Sequence, residues 1–345
     1  MMKATIYDVA REAGVSIAAV SQVINGKGKI SEERRAAIVS VMEKLNYKPS
    51  VIAAALTGKK TYTLGLLVPD ISNPFFAEIA RAVEDQGSLH GYSIVICSTD
   101  NRDERGENYL SLLEQKSVDG IIIGTGMGGK DMLEKLLAKS VPIAAIAREM
   151  SGYDVETVVI NDYEGGRLAA RHLIELGHTR MAVLAESAKI PSSQERIRGF
   201  RDELAAAGLE LPPEAVRASE RDLVKDGKRN AAALLDSAER PTALFCCNDL
   251  LAIGALQGAK ELGLRVPEDV SVVGFDNTIL ASVTDPALTT IAQPTDKLGQ
   301  LAVDLILGKY EAEPPKQTGA SKQRIVLEPA LIVRQSTSQP AGRSN

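Results

Sequence analysis

Beyond Thr61 the chain repeats one pattern, and that pattern limits the folds open to it. Short apolar runs at 64–68, 93–97, 120–123, 142–146, 157–160, 181–184, 243–247 and 270–275 alternate with helical stretches at 76–87, 107–116, 165–177, 194–208, 227–235, 250–263 and 297–307. Strands that are apolar throughout, rather than at every second residue, are those buried on both faces. With helices between them they predict parallel sheets covered on each side, an α/β fold. There are too many such strands for one comfortable sheet, and a 345-residue chain exceeds the usual size of one core, so two lobes are expected.

The first 60 residues follow a different rule. They hold ten Lys/Arg against five Asp/Glu, whereas the remainder holds 30 against 40, so a net charge of -5 conceals a basic head on an acidic body. Thr5 and Asp8 are placed to cap a first helix whose inner face is Val9, Ala10 and Ala13. Gly14 can adopt the left-handed conformation that ends it, and Ser16 can cap a second helix with Val20, Val23 and Ile24 turned inward. Ile17, Ala18, Ser21 and Gln22 are then left facing outward. Asn25-Gly26 ends this helix, and Lys27 and Lys29 follow in a loop suited to phosphates. Ser31 caps a third helix with Ala36, Ile38, Val41, Met42 and Leu45 as the expected buried stripe. Ser50 is placed to cap one further short helix at 51–56, which is too short to be stable alone and is expected to form only with a partner. Two short helices around Gly14-Val15-Ser16 are a helix-turn-helix, the unit that lays its second helix in the DNA major groove.

The segments Ile6-Tyr7-Asp8-Val9-Ala10, Ala13-Gly14-Val15-Ser16, Val20-Ser21, Val23-Ile24-Asn25, Leu45-Asn46-Tyr47 and 53–58 together resemble the head of the LacI/GalR family of bacterial transcription regulators. The order of strands and helices resembles that family's periplasmic-binding-protein-like core, so the resemblance covers nearly the whole chain. It implies a helix-turn-helix domain at 1–49, a hinge helix and linker at 50–60, and a two-lobed effector-binding and dimerisation core at 61–335. Lobe 1 would take about 62–161 and 292–322, lobe 2 about 162–291 and 323–335, with a flexible polar tail at 336–345. The function implied is a repressor that binds a palindromic operator as a homodimer. A small metabolite in the cleft between the lobes, a sugar or a relative of one, would control it allosterically.

The family pattern assigns DNA contact to Thr5, Tyr7, Ser16, Ile17, Ala18, Ser21, Gln22, Asn25, Ser31, Ala53 and Leu56, with Leu56 as an apolar wedge in the central minor groove. Ile17 and Ala18 offer methyl contacts but no hydrogen bonds, where several relatives carry polar or bulky residues. Gln22 can pair with a base edge. In open α/β lobes ligands bind outside the carboxyl ends of the strands. On that rule and the family pattern, Asn73, Phe75, Arg148, Arg196, Asn248 and Asp276 line the effector cleft, with Gln293 where the chain crosses back. Asn and Asp after strands also cap helices, so each has an ordinary structural alternative. The family's frequent Asp-Arg after the fourth strand reads Ala147-Arg148 here, which weakens the expectation of a plain sugar.

Other functions fit less well. Gly124 to Gly129 matches GxGxxG and Glu149 stands where a ribose-binding acid could lie. The match, however, follows the third strand of its lobe rather than the first, and no catalytic partner accompanies it, so no enzyme activity or cofactor is expected. His90, His172 and His178 have no metal spacing, and Cys97, Cys246 and Cys247 lie in apolar runs, reading as buried free thiols. With no run of membrane-span length, and with Met1-Met2-Lys3-Ala4 leading into a helix, a cytoplasmic protein that touches no membrane is expected. The last ten residues carry no leucine heptad, which favours a dimer over a tetramer.

Overall fold

The computed structural model describes residues 4–24, 30–47, 60–124, 130–138, 141–150, 153–187, 190–219, 222–308 and 322–341. They form two compact units, 1–62 together with 115–119, and 63–114 together with 120–345. Asn25, Lys27, Lys29, Ala53 and Leu56, the short helix at 51–56, and most of the GxGxxG loop lie outside the described residues.

In the first unit three helices, α1 (Ile6–Glu12), α2 (Ile17–Ile24) and α3 (Glu32–Lys44), surround a core of Val9, Ala10, Val20, Val23 and Ile38. The capping signals are realised. Thr5 and Asp8 form a reciprocal box, with the Thr5 hydroxyl and amide both donating to Asp8 Oδ2 at 2.7 and 3.0 Å. Ser16 Oγ accepts the Ala19 amide at 3.2 Å, Ser31 Oγ accepts that of Arg34, and Gly14 has φ +64°. The third-helix stripe is narrower than expected: Val41, Met42 and Leu45 pack on the core, but Ala36 is exposed. A three-helix core of this size has room for one deep contact from α3, and Ile38 takes it.

The second unit holds two six-stranded sheets. The first runs in the order β11 (Arg324–Leu327), β5 (Glu156–Ile160), β4 (Ile143–Ile146), β3 (Gly120–Ile123), β1 (Thr63–Val68), β2 (Ser93–Ser98), all parallel. The second runs β12 (Ala330–Ile332), β10 (Thr289–Ala292), β9 (Ser271–Asp276), β8 (Ala243–Cys246), β6 (Met181–Ala185), β7 (Val216–Ala218), parallel except for β12 on β10. The core strands β1, β3, β4, β6, β8 and β9 are buried almost end to end, as their unbroken apolar sequences require. Helices α4 (Pro74–Leu89), α5 (Asp103–Gln115), α6 (Lys130–Ala138) and α12 (Thr295–Ile306) belong to the first sheet by sequence and packing. Helices α7 (Asp162–Glu175), α8 (Pro191–Ala206), α9 (Leu223–Leu235), α10 (Asp249–Glu261) and the short α11 (Ile279–Val283) belong to the second.

Two boundaries differ from expectation. β11 pairs with β5, so the returning segment of lobe 1 extends through Leu327 instead of ending at 322, and the chain enters lobe 2 only with β12. Nor does lobe 2 end at 335. Ser336 is fully buried: its Oγ accepts the Thr289 amide at 2.8 Å and donates to the Val272 carbonyl at 2.6 Å. His178 Nε2 donates to the Ser338 carbonyl at 2.9 Å, and Nδ1 lies 2.9 Å from Thr242 Oγ1, so the histidine has a structural role. Burial holds its pKa below the usual value. The Ser/Thr run at 336–338 looked like a solvated tail because its side chains stand in for a strand's backbone partners, which no hydropathy pattern records.

Candidate functional site

On the head, Ile17, Ala18 and Gln22 are exposed along one side of α2, Ser21 is half-buried and Tyr7 is 68% exposed. Val20 and Val23 hold the opposite side in the core. The reading surface inferred from sequence is therefore presented. Thr5, Ser16 and Ser31, also expected at DNA, spend their side chains on helix capping, which leaves each at a helix N-terminus, where backbone amides suit phosphates.

In the body, Arg196 organises the polar groups at the carboxyl end of the second sheet. The side chain is 8% exposed. Nε donates to Asp162 Oδ1 at 2.7 Å, Nη1 donates to the Cys247 carbonyl and lies 3.8 Å from Asp276 Oδ1, and the guanidinium sits 3.6 Å above the Phe275 ring. Desolvation works hardest against its charge, but Asp162 and Asp276 outweigh it and the pKa is raised. This contact depends on α7 and α8 approaching almost backbone to backbone: a Cβ on Gly166 would strike the Arg196 carbonyl, and one on Gly199 the Tyr163 carbonyl.

Asp276 closes β9 at φ +114°, a conformation that non-glycine residues rarely adopt and that sites tend to retain. Gln293 Nε2 donates to its Oδ1 at 2.7 Å, which joins the crossing strand to the site. Burial pushes the Asp276 carboxyl well above the ordinary range, with Arg196 pulling the other way. Asn248 takes the structural alternative, a helix cap, and also bonds a neighbouring carboxylate. Its Oδ1 caps α10 at the Leu251 amide (2.8 Å), and its Nδ2 donates to Glu186 Oε1 at 2.6 Å.

Lobe 1 supplies Asn73, which caps α4 through the Phe75 amide at 3.1 Å, and Arg148, half-buried after β4. Phe75, expected to line the effector cleft, is turned into the core instead. It is 6% exposed within the lobe 1 core, edge-on to the half-buried Phe76 at 5.0 Å, because the first turn of α4 rotates it inward. Sequence reasoning missed Asp162, Glu186 and Glu78. Glu78 accepts the Ile279 amide (3.3 Å) and lies 3.4 Å from the Thr295 hydroxyl, linking α4 to α11 across the lobes. Asp162 and Glu186 do follow β5 and β6 in sequence, a position that could have flagged them; Glu78 carries no such signal. Glu149, the candidate ribose ligand, instead accepts a hydrogen bond from Arg324 Nε at 2.6 Å.

Beneath the cleft, Asp249 is fully buried and accepts the Thr278 amide (2.8 Å), the Thr278 hydroxyl (3.0 Å) and the Thr290 hydroxyl (2.7 Å). Desolvation raises its pKa from 3.8 to about 6. The folded protein thus holds this proton more tightly than the unfolded chain does. Its contribution to stability is complete below the unfolded pKa of 3.8 and is lost as pH rises through about 6. Chemical denaturation of wild type and Asp249→Asn between pH 4 and 7 is expected to show the wild type losing stability relative to the variant as pH rises. A constant difference would contradict the assignment.

The three cysteines are buried and free, and burial pushes Cys97 to about 11 and Cys247 to about 12, so they are unreactive thiols. Among the described residues there is no cluster of side chains able to hold a metal ion, and no helix long and apolar enough to cross a membrane.

Comparison with known proteins agrees with this division. Residues 5–50 match the model of bacterial regulatory proteins of the lacI family, and residues 170–337 match a periplasmic binding protein-like domain. The chain is 43% identical to the HTH-type transcriptional regulator DegA of Bacillus subtilis, over 98% of this chain and 99% of that one. It is 35% identical to the ribose operon repressor of Haemophilus influenzae, over 96% and 98%. The solved structure of the lac repressor dimer bound to operator and the anti-inducer ONPF superimposes with a TM-score of 0.85 at 28% identity, over 98% of this chain and all of that one. The chain belongs to the lacI family of bacterial regulatory proteins.

Proposed function

We propose that this protein is a transcriptional repressor that binds a palindromic operator as a homodimer and is controlled by a small metabolite held between its lobes. The observation that carries the reading is the pairing, in one chain, of a folded helix-turn-helix presenting Ile17, Ala18 and Gln22 with a two-sheet body whose buried polar groups gather at the carboxyl ends of its strands. Each head occupies one major-groove half-site. Residues 51–56 of the two protomers pair at the centre, with Leu56 as the wedge. A ligand that bridges Arg196, Asn248 and Asp276 on one lobe and Asn73 and Arg148 on the other changes the angle between lobes, and so the spacing of the heads. The expected coupling is about 1–3 kcal/mol. Sugars and related polyhydroxylated metabolites suit a wall of this kind, where charged groups offer several fixed hydrogen bonds. Acting on DNA, the protein works in the cytoplasm, and it carries out no catalysis.

The test combines operator selection from random duplexes with a metabolite screen on the selected duplex. Affinity is expected to fall steeply with added salt as phosphate contacts displace counterions. Asp276→Ala is expected to retain operator affinity and lose the metabolite response. A flat salt response would remove the DNA-binding reading, and an intact metabolite response in the variant would remove the cleft assignment.

A further inference from the structure

Among the described residues, the charged groups at the candidate effector site pair with one another, apart from Arg148. Arg196 lies against Asp162 and the Cys247 carbonyl, Asp276 takes Gln293, Glu186 takes Asn248, and Asp249 takes its two threonines. Arg148 is half-buried at the end of β4, yet among the described residues it donates no hydrogen bond and forms no ion pair. The charge that influences it is Glu186, which stands on the opposite lobe and is already bonded to Asn248. Desolvation lowers the Arg148 pKa despite that attraction.

The backbone that launches Arg148 is also unusual. Ala147 has φ +53° and is held there by its amide bond to the Val158 carbonyl at 2.8 Å. An alanine in the left-handed region persists only where surrounding structure enforces it, and it directly precedes an arginine that feels the charge of Glu186 on the other lobe. The residue at 147 has no carboxylate to balance the guanidinium. On the same rim α4, sixteen residues long, begins at Asn73 and adds the positive end of its dipole.

We propose that the cleft ligand is a polyhydroxylated anion whose carboxylate or phosphate is held by Arg148, and that Arg148 sets the preference for a sugar acid or sugar phosphate over the neutral parent sugar. This rests on the cleft being the effector site. A half-buried guanidinium with no hydrogen bond among the described residues loses water on ligand entry, and hydroxyl groups replace that water with dipoles only. An anionic group supplies full charge and can accept two parallel N–H bonds. The hydroxylated part of the ligand then lies towards Asn248, Asp276 and Arg196, where no net positive charge is left over.

The experiment uses the full-length protein and matched probes: D-galactose with D-galacturonate, D-glucose with D-gluconate and D-glucose 6-phosphate, and D-ribose, each measured by thermal shift and calorimetric titration. At least one anion is expected to bind about tenfold or more tightly than its neutral parent, a gap of about 1.4 kcal/mol. Comparing the carboxylate and phosphate members then identifies the group. Arg148→Gln is expected to erase that gap. Ala147→Asp, which places a carboxylate beside Arg148 at a φ that Asp tolerates, is expected to lower anion affinity and spare the neutral sugar. Neutral sugars binding as well as anions, an unchanged gap in Arg148→Gln, or no stabilisation by any anion would each overturn the proposal. Neutral binding lost in Asp276→Ala would leave the cleft reading standing in that event, whereas anion binding retained in Asp276→Ala would remove the cleft reading itself.

Discussion

Gly199→Ala is expected to cost the body about 2–3 kcal/mol, although alanine is the better helix former by about 1 kcal/mol. The added Cβ would strike the Tyr163 carbonyl, a backbone atom that cannot rotate away, so α7 and α8 must separate. Separation withdraws Arg196, on α8, from Asp162, on α7, and both stability and ligand response fall together. In thermal denaturation the loss should appear as a drop of roughly 5–10 °C for a domain of this size. Gly106→Ala is the matched control. It also lies in a helix, but a Cβ there meets nothing within 4 Å, so it is expected to be neutral or mildly stabilising. Equal behaviour of the two variants would show that the close approach of the helices is not what fixes Arg196.

Arg196→Met keeps the volume of the side chain and removes its charge. Breaking a buried pair by removing one partner typically costs about 3–5 kcal/mol, because the other charge stays buried and uncompensated. Here Asp162 loses its 2.7 Å partner, and Asp276 loses the cation that opposes its burial. Burial already raises the Asp276 pKa, so without Arg196 the carboxyl takes up a proton still more readily. The loss should be largest near pH 8, where an ionised Asp276 must be buried alone, and smaller near pH 5, where it can be neutral. Urea denaturation at the two pH values measures this, and a pH-independent loss would mean that Asp276 does not respond to Arg196.

The placement of the candidate effector residues was legible in sequence for a simple reason. In a parallel sheet the carboxyl ends of the strands are marked by where each apolar run stops, so a correct strand placement puts Asn73, Arg148, Asn248 and Asp276 at those ends without knowledge of packing. Phe75 failed that reasoning because helix rotation, not strand position, decides where it points, and the α4 core claims it. Glu78 was invisible because its partners, Ile279 and Thr295, are about 200 residues away in the chain. The lobe boundary at 322 was misplaced because the strand at 324–327 is only four residues long, opens with the charged Arg324 and lies at a sheet edge where burial is partial.

The sequence alone determined the helix-turn-helix head, since caps, the Gly14 turn and a 3.6-residue apolar period are local matters that neighbouring residues decide. It also determined the alternating α/β body, because strands buried on both faces must be apolar throughout. Only the tertiary structure decided which polar groups pair with which. The bonds of Arg196 to Asp162 and Cys247, of Asn248 to Glu186 and of Asp276 to Gln293 join residues 17 to 62 positions apart. Such pairing is fixed by sheet order and helix approach, and among the described residues it leaves Arg148 without a hydrogen bond or ion pair.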